Sequence, residues 1–195
     1  MLNFLHDSSF GKLIAGVDEA GRGPLAGPVV CAACIMGDIC IEGIYDSKKI
    51  SPLKLKRLYK LIVANALDFC VVAIDSCVVD QINILNATKL GMTLALQGLV
   101  VKPELVLIDY VKLNVENSIS IVKGDLKSYN VAAASILAKV SRDNLMSLYS
   151  ILYPDYNFEK HKGYPTKLHY EAIKNFGVTA IHRTSFLNNY EYKKK

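Results

Sequence analysis

Short apolar segments alternate with amphipathic ones along the first three quarters of the chain. Leu13–Val17, Pro28–Met36 and Phe69–Ile74 have the length and the continuous hydrophobicity of buried strands. Two shorter apolar segments, Leu105–Ile108 and Ser118–Val122, indicate two further strands. The first two strands lie close together in the chain, so we expect them to pair as a hairpin.

Helical spacing separates these strands. Ser51 followed by Pro52 places a capping residue before a proline at the first helical position, which predicts a helix start. Residues 83–100 and about 130–152 also have helical spacing, and a last helix over 166–176 is closed by Gly177. In the first two helices, the positions predicted to form the inward stripes are Leu55, Leu58, Leu61, Ile62, Leu90, Thr93, Leu94 and Gln97.

This alternation predicts an α/β fold with a mixed central sheet flanked by helices. No repeat or linker divides the chain, so we expect a single domain over residues 1–195. From about residue 153 to 195 the chain is aromatic and basic, and we expect this helical C-terminal extension to pack on the domain.

Composition narrows the class of protein only slightly. Of 195 residues, 51% are hydrophobic and 21% are charged, and no apolar run reaches the ~18 residues of a membrane span. The N-terminal residues lack a basic start followed by an apolar stretch, so we expect a cytoplasmic protein without a membrane partner. The net charge of +5 permits a polyanionic partner without establishing one.

The five cysteines do not indicate a disulfide framework or a zinc site. Cys31 and Cys34 lie in a predicted strand, where residues three apart point to opposite faces. No second cysteine pair or histidine pair completes a zinc site, so these residues are expected to be core thiols. His161, His169 and His182 are expected at the surface, and none of them is assigned to a metal.

Carboxylates follow three of the predicted strands. Asp18 and Glu19 follow the first strand, Asp109 follows the fourth, and Asp125 comes shortly after the fifth. A single polar residue at a strand end is common, but three cases in one domain favour a shared cluster of acids. Carboxylates at close range repel unless a cation neutralises them, and oxygen ligands suit Mg²⁺ or Mn²⁺. The pattern therefore predicts a divalent metal site at one edge of the sheet.

Glycines follow the first acidic pair. In a regular strand Asp18 and Glu19 would face opposite ways, so we expect the strand to end there and Gly21 and Gly23 to supply the freedom to turn. Bare backbone at these glycines would let a ligand approach, with Arg22 offering a charged fork. A glycine-rich turn alone is often only a turn, and here it matches neither the dinucleotide-binding nor the phosphate-loop spacing.

Taken together, these motifs resemble the ribonuclease HII family from Ala15 to Phe186. The blocks that carry the resemblance are GVDEAGRGPLAGPVV (16–30), DSKKIS (46–51), INILNAT (82–88), LIDY (107–110), VKGDLKS (122–128), AAASILAKVSRD (132–143), HKGYPTKLH (161–169) and HRTSF (182–186). The resemblance implies a ribonuclease H-like fold. It also implies an endonuclease that cuts the RNA strand of RNA/DNA hybrids and nicks duplex DNA 5′ to embedded ribonucleotides. Two Mn²⁺ or Mg²⁺ ions would assist, leaving 3′-hydroxyl and 5′-phosphate ends.

The resemblance also assigns roles to particular residues. The four metal-binding acids of the family fall on the same carboxylates that the strand ends indicate. The Gly-Arg-Gly segment would hold the ribose 2′-hydroxyl and the adjoining phosphate, and a tyrosine would stack on the sugar at the RNA–DNA junction. The four acids are Asp18, Glu19, Asp109 and Asp125, and the Gly-Arg-Gly segment is Gly21, Arg22 and Gly23. The tyrosine is Tyr164. The expected phosphate contacts are Lys48, Lys49, Lys123, Arg183 and Ser185.

Several alternatives stay open. Lys48 and Lys49 are equally consistent with plain surface lysines, and Tyr164 with a small aromatic core. Asp143 is a further candidate acid, although an ion pair with its neighbour Arg142 or a surface charge explains it as well.

One local departure from the family and two rival functions remain. Tyr110-Val111 stands where many relatives have Gly-Asn, which puts the neighbouring loop in doubt. The sibling family ribonuclease HIII is disfavoured because only 17 residues precede Asp18. The other rival is a non-catalytic module that binds hybrids. We expect a monomer.

Overall fold

A computed structural model describes Asp7 and residues 13–37, 39–44 and 51–187. Lys48 and Lys49 lie outside these residues. The strands are β1 (Ile14–Ala20), β2 (Val29–Met36), β3 (Ala66–Ile74), β4 (Leu105–Asp109) and β5 (Ser118–Ile121). The helices are α1 (Pro52–Asn65), α2 (Ser76–Gln97), α3 (Tyr129–Leu152), α4 (Phe158–His161) and α5 (Lys167–Phe176), with 3₁₀ turns at Gly124–Leu126, Pro154–Tyr156 and Thr184–Phe186.

The five strands form one mixed sheet in the order β3-β2-β1-β4-β5. β1 pairs with β2 in antiparallel fashion, which confirms the predicted hairpin, and β3 continues the antiparallel part. On its other side β1 runs parallel to β4, and β4 runs parallel to β5. β1 is therefore the central strand, and its C-terminal end lies beside that of β4.

Helices cover both faces of the sheet. Alternate residues of β2 divide between two apolar clusters: Ala32 and Cys34 pack with α1 and α3, whereas Cys31 and Ala33 pack with α2. The two cysteines thus lie on opposite faces, as predicted. Where the chain is described, no helix is long and apolar enough to span a membrane.

The α2 helix differs from its prediction in two ways. It begins at Ser76, and it bends at Asn83, where φ is +64° and where the predicted helix began. Its buried positions include Gly91, while Leu90 and Leu94 are each 39% exposed, so the predicted inward stripe was wrong. A Cβ at Gly91 would lie 2.7 Å from Cys31 Sγ, which shows that the helix lies too close to the sheet at this position for any side chain. Leu61 of α1 is likewise exposed rather than buried.

The C-terminal segment builds a separate apolar cluster against the end of α3. Tyr156, Phe158 and Ile173 pack there with Ala26 and Met146. The predicted last helix is confirmed, with Thr166 as its N-cap and Gly177 as its C-cap.

The three histidines of this segment are buried, so their predicted surface positions were wrong. His161 is 9% exposed, His169 0% and His182 3%. Their rings pack against one another and against Phe158.

Candidate active site

The parallel pairing of β1 with β4 sets two carboxylates side by side. Val17 is opposite Ile108 in this ladder, so Asp18 and Asp109 follow together at the same end of the two strands. Two residues before Asp18, Gly16 lies against the backbone of α3, and side chains two apart on a strand share a face. Asp18 therefore projects from the face that α3 covers, where it is 6% exposed.

Glu19 leaves the strand on the opposite face. β1 continues through both acids to Ala20, so our expectation that the strand ends at this pair was wrong. The backbone N–H of Glu19 donates to Asp18 Oδ1 at 2.7 Å, and Glu19 Oε1 lies 3.4 Å from Arg22 Nη1. The other carboxylate oxygen, Oε2, is buried and has no hydrogen-bond partner.

The acids border a cleft of about 260 Å³ at the edge of the sheet. The N–H of Gly124 donates to Asp109 Oδ1 at 2.7 Å, which ties β4 to the 3₁₀ turn that carries Asp125. Asp125 is 4% exposed and lies at the same edge, although it is not among the residues that line the cleft. Those residues are Asp18, Glu19, Ala20, Gly21, Asp109, Ser135, Lys139 and Tyr164.

The electrostatics show that three of the acids repel one another. Burial raises the pKa of Asp18 well above its usual range, and the charges of Glu19 and Asp109 raise it further. Burial and Asp109 also raise the pKa of Glu19, while Arg22 opposes this shift. Within the described ranges, no group of three or more His, Cys, Asp or Glu side chains is gathered closely enough to hold a metal ion. The carboxylates are thus neighbours that interact without forming a closed cage.

The buried side chain of Arg183 holds the backbone of the Gly21-Arg22-Gly23 loop. The guanidinium donates to the carbonyl oxygens of Gly21 at 2.7 Å, Arg22 at 3.0 Å and Gly27 at 2.8 Å and 3.0 Å. Arg183 is 0% exposed, and its pKa is lowered to about 10, chiefly by burial. This geometry favours a role in positioning the loop over the direct phosphate contact that we predicted.

Arg142 is a second buried arginine of this kind, and no pattern in the sequence assigned it to the site. It donates to the carbonyl oxygens of Pro28 at 3.0 Å, Ala26 at 3.1 Å and Lys162 at 3.0 Å. Asp143 pairs instead with Lys139, at 2.8 Å.

Lys139 and Ser135 line the cleft from α3, and they too were missed. The helical spacing of α3 placed them four residues apart on one face, but nothing in the sequence alone showed that this face borders the acids.

Tyr164 borders the cleft rather than the aromatic core. It is 41% exposed, its ring lies 5.8 Å from Arg142 Cζ, and a Cβ at Gly23 would be 3.7 Å from its Cε1 atom. Its backbone is fixed on both sides, because its N–H donates to His161 O and its carbonyl accepts from His169 Nδ1. The side chain therefore faces the loop of Gly21 and Gly23 from across the cleft.

The remaining candidate residues do not line the cleft. Lys123 is exposed, with φ of +57° before the 3₁₀ turn. The hydroxyl of Ser185 donates to Asp80 Oδ1 at 2.5 Å. Tyr110, in the loop that departs from the family pattern, has φ of +56° and is 64% exposed. Glycine adopts such a φ with less strain, which gives a physical reason for the glycine that we expected at this position from the family pattern.

Comparison with known proteins places this geometry in context. Residues 15–189 match the family model described as ribonuclease HII. The chain is 50% identical over 182 residues to the ribonuclease HII of Caldicellulosiruptor saccharolyticus, covering 91% of this chain and 88% of that protein. It superposes on the crystal structure of ribonuclease H2 from Pyrococcus horikoshii OT3 with a TM-score of 0.76 and 28% identity, covering 88% and 92% of the two chains.

A more distant likeness concerns the fold alone. The crystal structure of Bst ribonuclease HIII in complex with Mn²⁺ matches with a TM-score of 0.68 and 18% identity, covering 90% of this chain and 67% of that chain. Together with the closer matches, it confirms the predicted ribonuclease H-like fold.

Proposed function

The chain belongs to the ribonuclease HII family and is a ribonuclease H endonuclease, and we propose that its cleft also nicks duplex DNA on the 5′ side of an embedded ribonucleotide. The observation that carries this proposal is the alignment of Asp18 and Asp109 beside Glu19, in a cleft bordered by Gly21 and Tyr164. We also propose that the chain acts as a monomer.

The acids fit a divalent cation on chemical grounds. Glu19 Oε2 is buried without a partner, and burial, together with repulsion from neighbouring carboxylates, raises the pKa of Asp18 and Glu19. Both features are relieved by a cation with oxygen ligands, such as the Mn²⁺ of the Bst ribonuclease HIII complex. We propose that Asp18, Glu19, Asp109 and Asp125, which are neighbours without forming a closed cage, draw closer together to hold two such ions. When bound, these ions supply activation of the attacking water and stabilisation of the departing 3′ oxygen.

Substrate choice depends on the loop across from Tyr164. A 2′-hydroxyl is the chemical difference between the two sugars, so a ribonuclease of this kind must read that group. The backbone of Gly23 can approach the sugar closely because this residue has no side chain in the way, whereas the missing Cβ at Gly21 leaves room for Arg142, whose Nε would lie 2.1 Å from it. Tyr164 offers an exposed ring for stacking on the sugar that follows the ribonucleotide.

The decisive variant is Asp109→Asn, which removes one charge with little change of shape. We expect cutting of a duplex with one ribonucleotide to fall by about 10³-fold or more in Mn²⁺, because the cation loses a ligand and a charge. The melting temperature should not fall, because the substitution also removes repulsion with Asp18 and Glu19. Glu171→Gln is the matched control, because Glu171 is exposed, pairs with Lys167 and does not line the cleft, and its activity should stay within about fivefold of the wild type.

Two results would count against this function. Wild-type cutting by Asp109→Asn in Mn²⁺ would exclude the acid assignment. Tight binding of the duplex with no nicking in Mn²⁺, and unchanged binding in EDTA, would instead support a non-catalytic hybrid-binding module.

A further inference from the structure

Three buried histidines connect the end of the described chain to Tyr164. The rings of His161 and His169 stack with centroids 4.5 Å apart and an angle of 18°. His169 Nε2 lies 3.1 Å from His182 Nε2, and His169 Nδ1 lies 3.0 Å from the carbonyl oxygen of Tyr164. His182 Nδ1 in turn lies 2.9 Å from the backbone nitrogen of Thr179. The contacts form a continuous chain from Thr179 to Tyr164.

The partners at the two ends fix where the protons lie. A carbonyl oxygen only accepts, so His169 Nδ1 must carry a proton and donate it to Tyr164 O. A backbone N–H only donates, so His182 Nδ1 must be the acceptor for Thr179. In a neutral ring the second nitrogen has the opposite role, which makes His182 Nε2 the donor and His169 Nε2 the acceptor. Every bond in the chain is satisfied by one tautomer of each ring.

His161 supports the same segment with its own fixed tautomer. Its Nε2 lies 2.7 Å from the carbonyl oxygen of Tyr156 and must donate, and its Nδ1 accepts from the N–H of Gly163 at 3.2 Å. The carbonyl of His161 accepts the N–H of Tyr164 at 2.9 Å. The backbone on either side of Tyr164 is therefore tied to a histidine.

We propose that His182 and His169 are positioning residues that act as a one-directional hydrogen-bond relay, holding the backbone of Tyr164 so that its ring faces the Gly21–Gly23 loop. The inference rests on the proposed function, because the relay affects substrate choice only if Tyr164 recognises the RNA–DNA junction. The relay requires neutral rings, since a proton added to His169 Nε2 would face the donor of His182. In agreement, burial above all lowers the pKa of both histidines to about 4.

The tautomers give the first test. Protein with ¹⁵N-labelled histidine, recorded near pH 7 by long-range ¹H–¹⁵N correlation, should show His169 protonated on Nδ1, and His182 and His161 protonated on Nε2. Single substitutions such as His182→Gln assign the signals. A proton on Nε2 of His169, or a charged ring at that pH, overturns the relay whatever the enzyme does.

Two substitutions at His169 give the functional test. The amide nitrogen of Asn falls near the place of Nδ1, whereas that of Gln falls near Nε2, so His169→Asn keeps a donor for Tyr164 O and His169→Gln does not. The measured quantity is the junction preference: kcat/KM for a duplex with one ribonucleotide divided by kcat/KM for a uniform RNA/DNA hybrid. We expect His169→Asn to keep this ratio within about threefold, and His169→Gln to lower it by about tenfold, the loss that one hydrogen bond allows.

A merely structural role would affect both substrates and both variants alike. Equal junction preferences for His169→Asn and His169→Gln, in folded protein with wild-type circular dichroism, overturn the inference. Tyr164→Ala is the benchmark and should lower the ratio by at least as much as His169→Gln. If Tyr164→Ala leaves the ratio unchanged while Mn²⁺-dependent cutting persists, Tyr164 does not recognise the junction and the inference is wrong. The nuclease assignment is unaffected by that result.

Discussion

Mild acid should weaken the fold through the buried histidines. Their pKa is lowered from 6.5 to about 4 in the folded protein for both His169 and His182, mainly by burial. Between these two values the unfolded chain binds more protons than the folded one, so stability falls as the pH is lowered. The contribution is fully present above about pH 6.5 and disappears progressively toward pH 4.

The size of this effect follows from the two pKa values. For one histidine, lowering the pH from 7.0 to 5.5 protonates the unfolded ring almost completely and the folded ring hardly at all. The linkage relation then gives a loss of about 1.2 kcal/mol for each ring, or about 2.5 kcal/mol for the pair. A shift of this size is a large part of the stability of a domain, which is typically about 5–15 kcal/mol.

Urea unfolding at the two pH values measures the loss, with the ionic strength held constant. Asp18 and Glu19 act in the opposite direction, because their raised pKa makes the folded protein bind more protons in acid. The control is therefore the double variant His169→Asn, His182→Gln, which lacks both rings but keeps the acids. We expect the wild type to lose about 2.5 kcal/mol more than this variant between pH 7.0 and 5.5. Equal losses in the two proteins would refute the burial argument.

Two further substitutions, with Gly177→Ala as the control for the first, test the close packing around the cleft. In Gly16→Ala the new Cβ would lie 2.0 Å from the backbone carbon of Asn130, so β1 and α3 must separate, at a cost of about 3 kcal/mol or more in urea unfolding. Gly177→Ala, with φ of +82° and no atom within 4 Å of the new Cβ, should lose only about 1 kcal/mol, and an equal loss would contradict the steric reasoning. In Arg183→Lys, a single ammonium replaces the guanidinium that donates to three backbone carbonyl oxygens. We therefore expect KM for the hybrid to rise about tenfold with kcat nearly constant. A matching fall in kcat would show that Arg183 also affects the chemical step.

The strands and the acids were predictable because both depend on local signals. Continuous apolar segments ended in carboxylates, and the parallel pairing of β1 with β4 then brought Asp18 and Asp109 together. The inward face of α2 was not predictable in this way, since large leucines normally mark the buried side. Here the close approach of helix and sheet at Gly91 fixes which face is buried, and this approach is a property of the tertiary contact.

The buried polar residues show the same limit more sharply. Histidine and arginine are often surface residues, and a sequence gives no local sign that such a side chain will form a hydrogen bond to a buried backbone carbonyl. His169 and Arg183 are 0% exposed because partners distant in the chain satisfy their hydrogen bonds. Such partners exist only after the C-terminal segment has packed on the loop that follows β1. The recognised motifs marked these positions, but only the structure explains them.

The two buried arginines also bear on how the cleft receives its ligands. Arg142 and Arg183 bind backbone carbonyls and form no ion pair with a carboxylate within 4.0 Å among the described residues. Their positive charge therefore lies beneath the Gly21–Gly23 loop with no described carboxylate in direct contact, while the negative charge of the acids, which Arg22 offsets in part at Glu19, lies at the edge of the sheet. Asp143 neighbours Arg142 in sequence and its charge acts on the guanidinium, but it offsets this separation only in part because its carboxylate pairs with Lys139. Under the proposed function, a phosphate bound in the cleft would meet fixed positive charge from beneath the loop, and it would also meet the cations that the acids would hold. The separation of charge favours the phosphate and the cations together over either one alone.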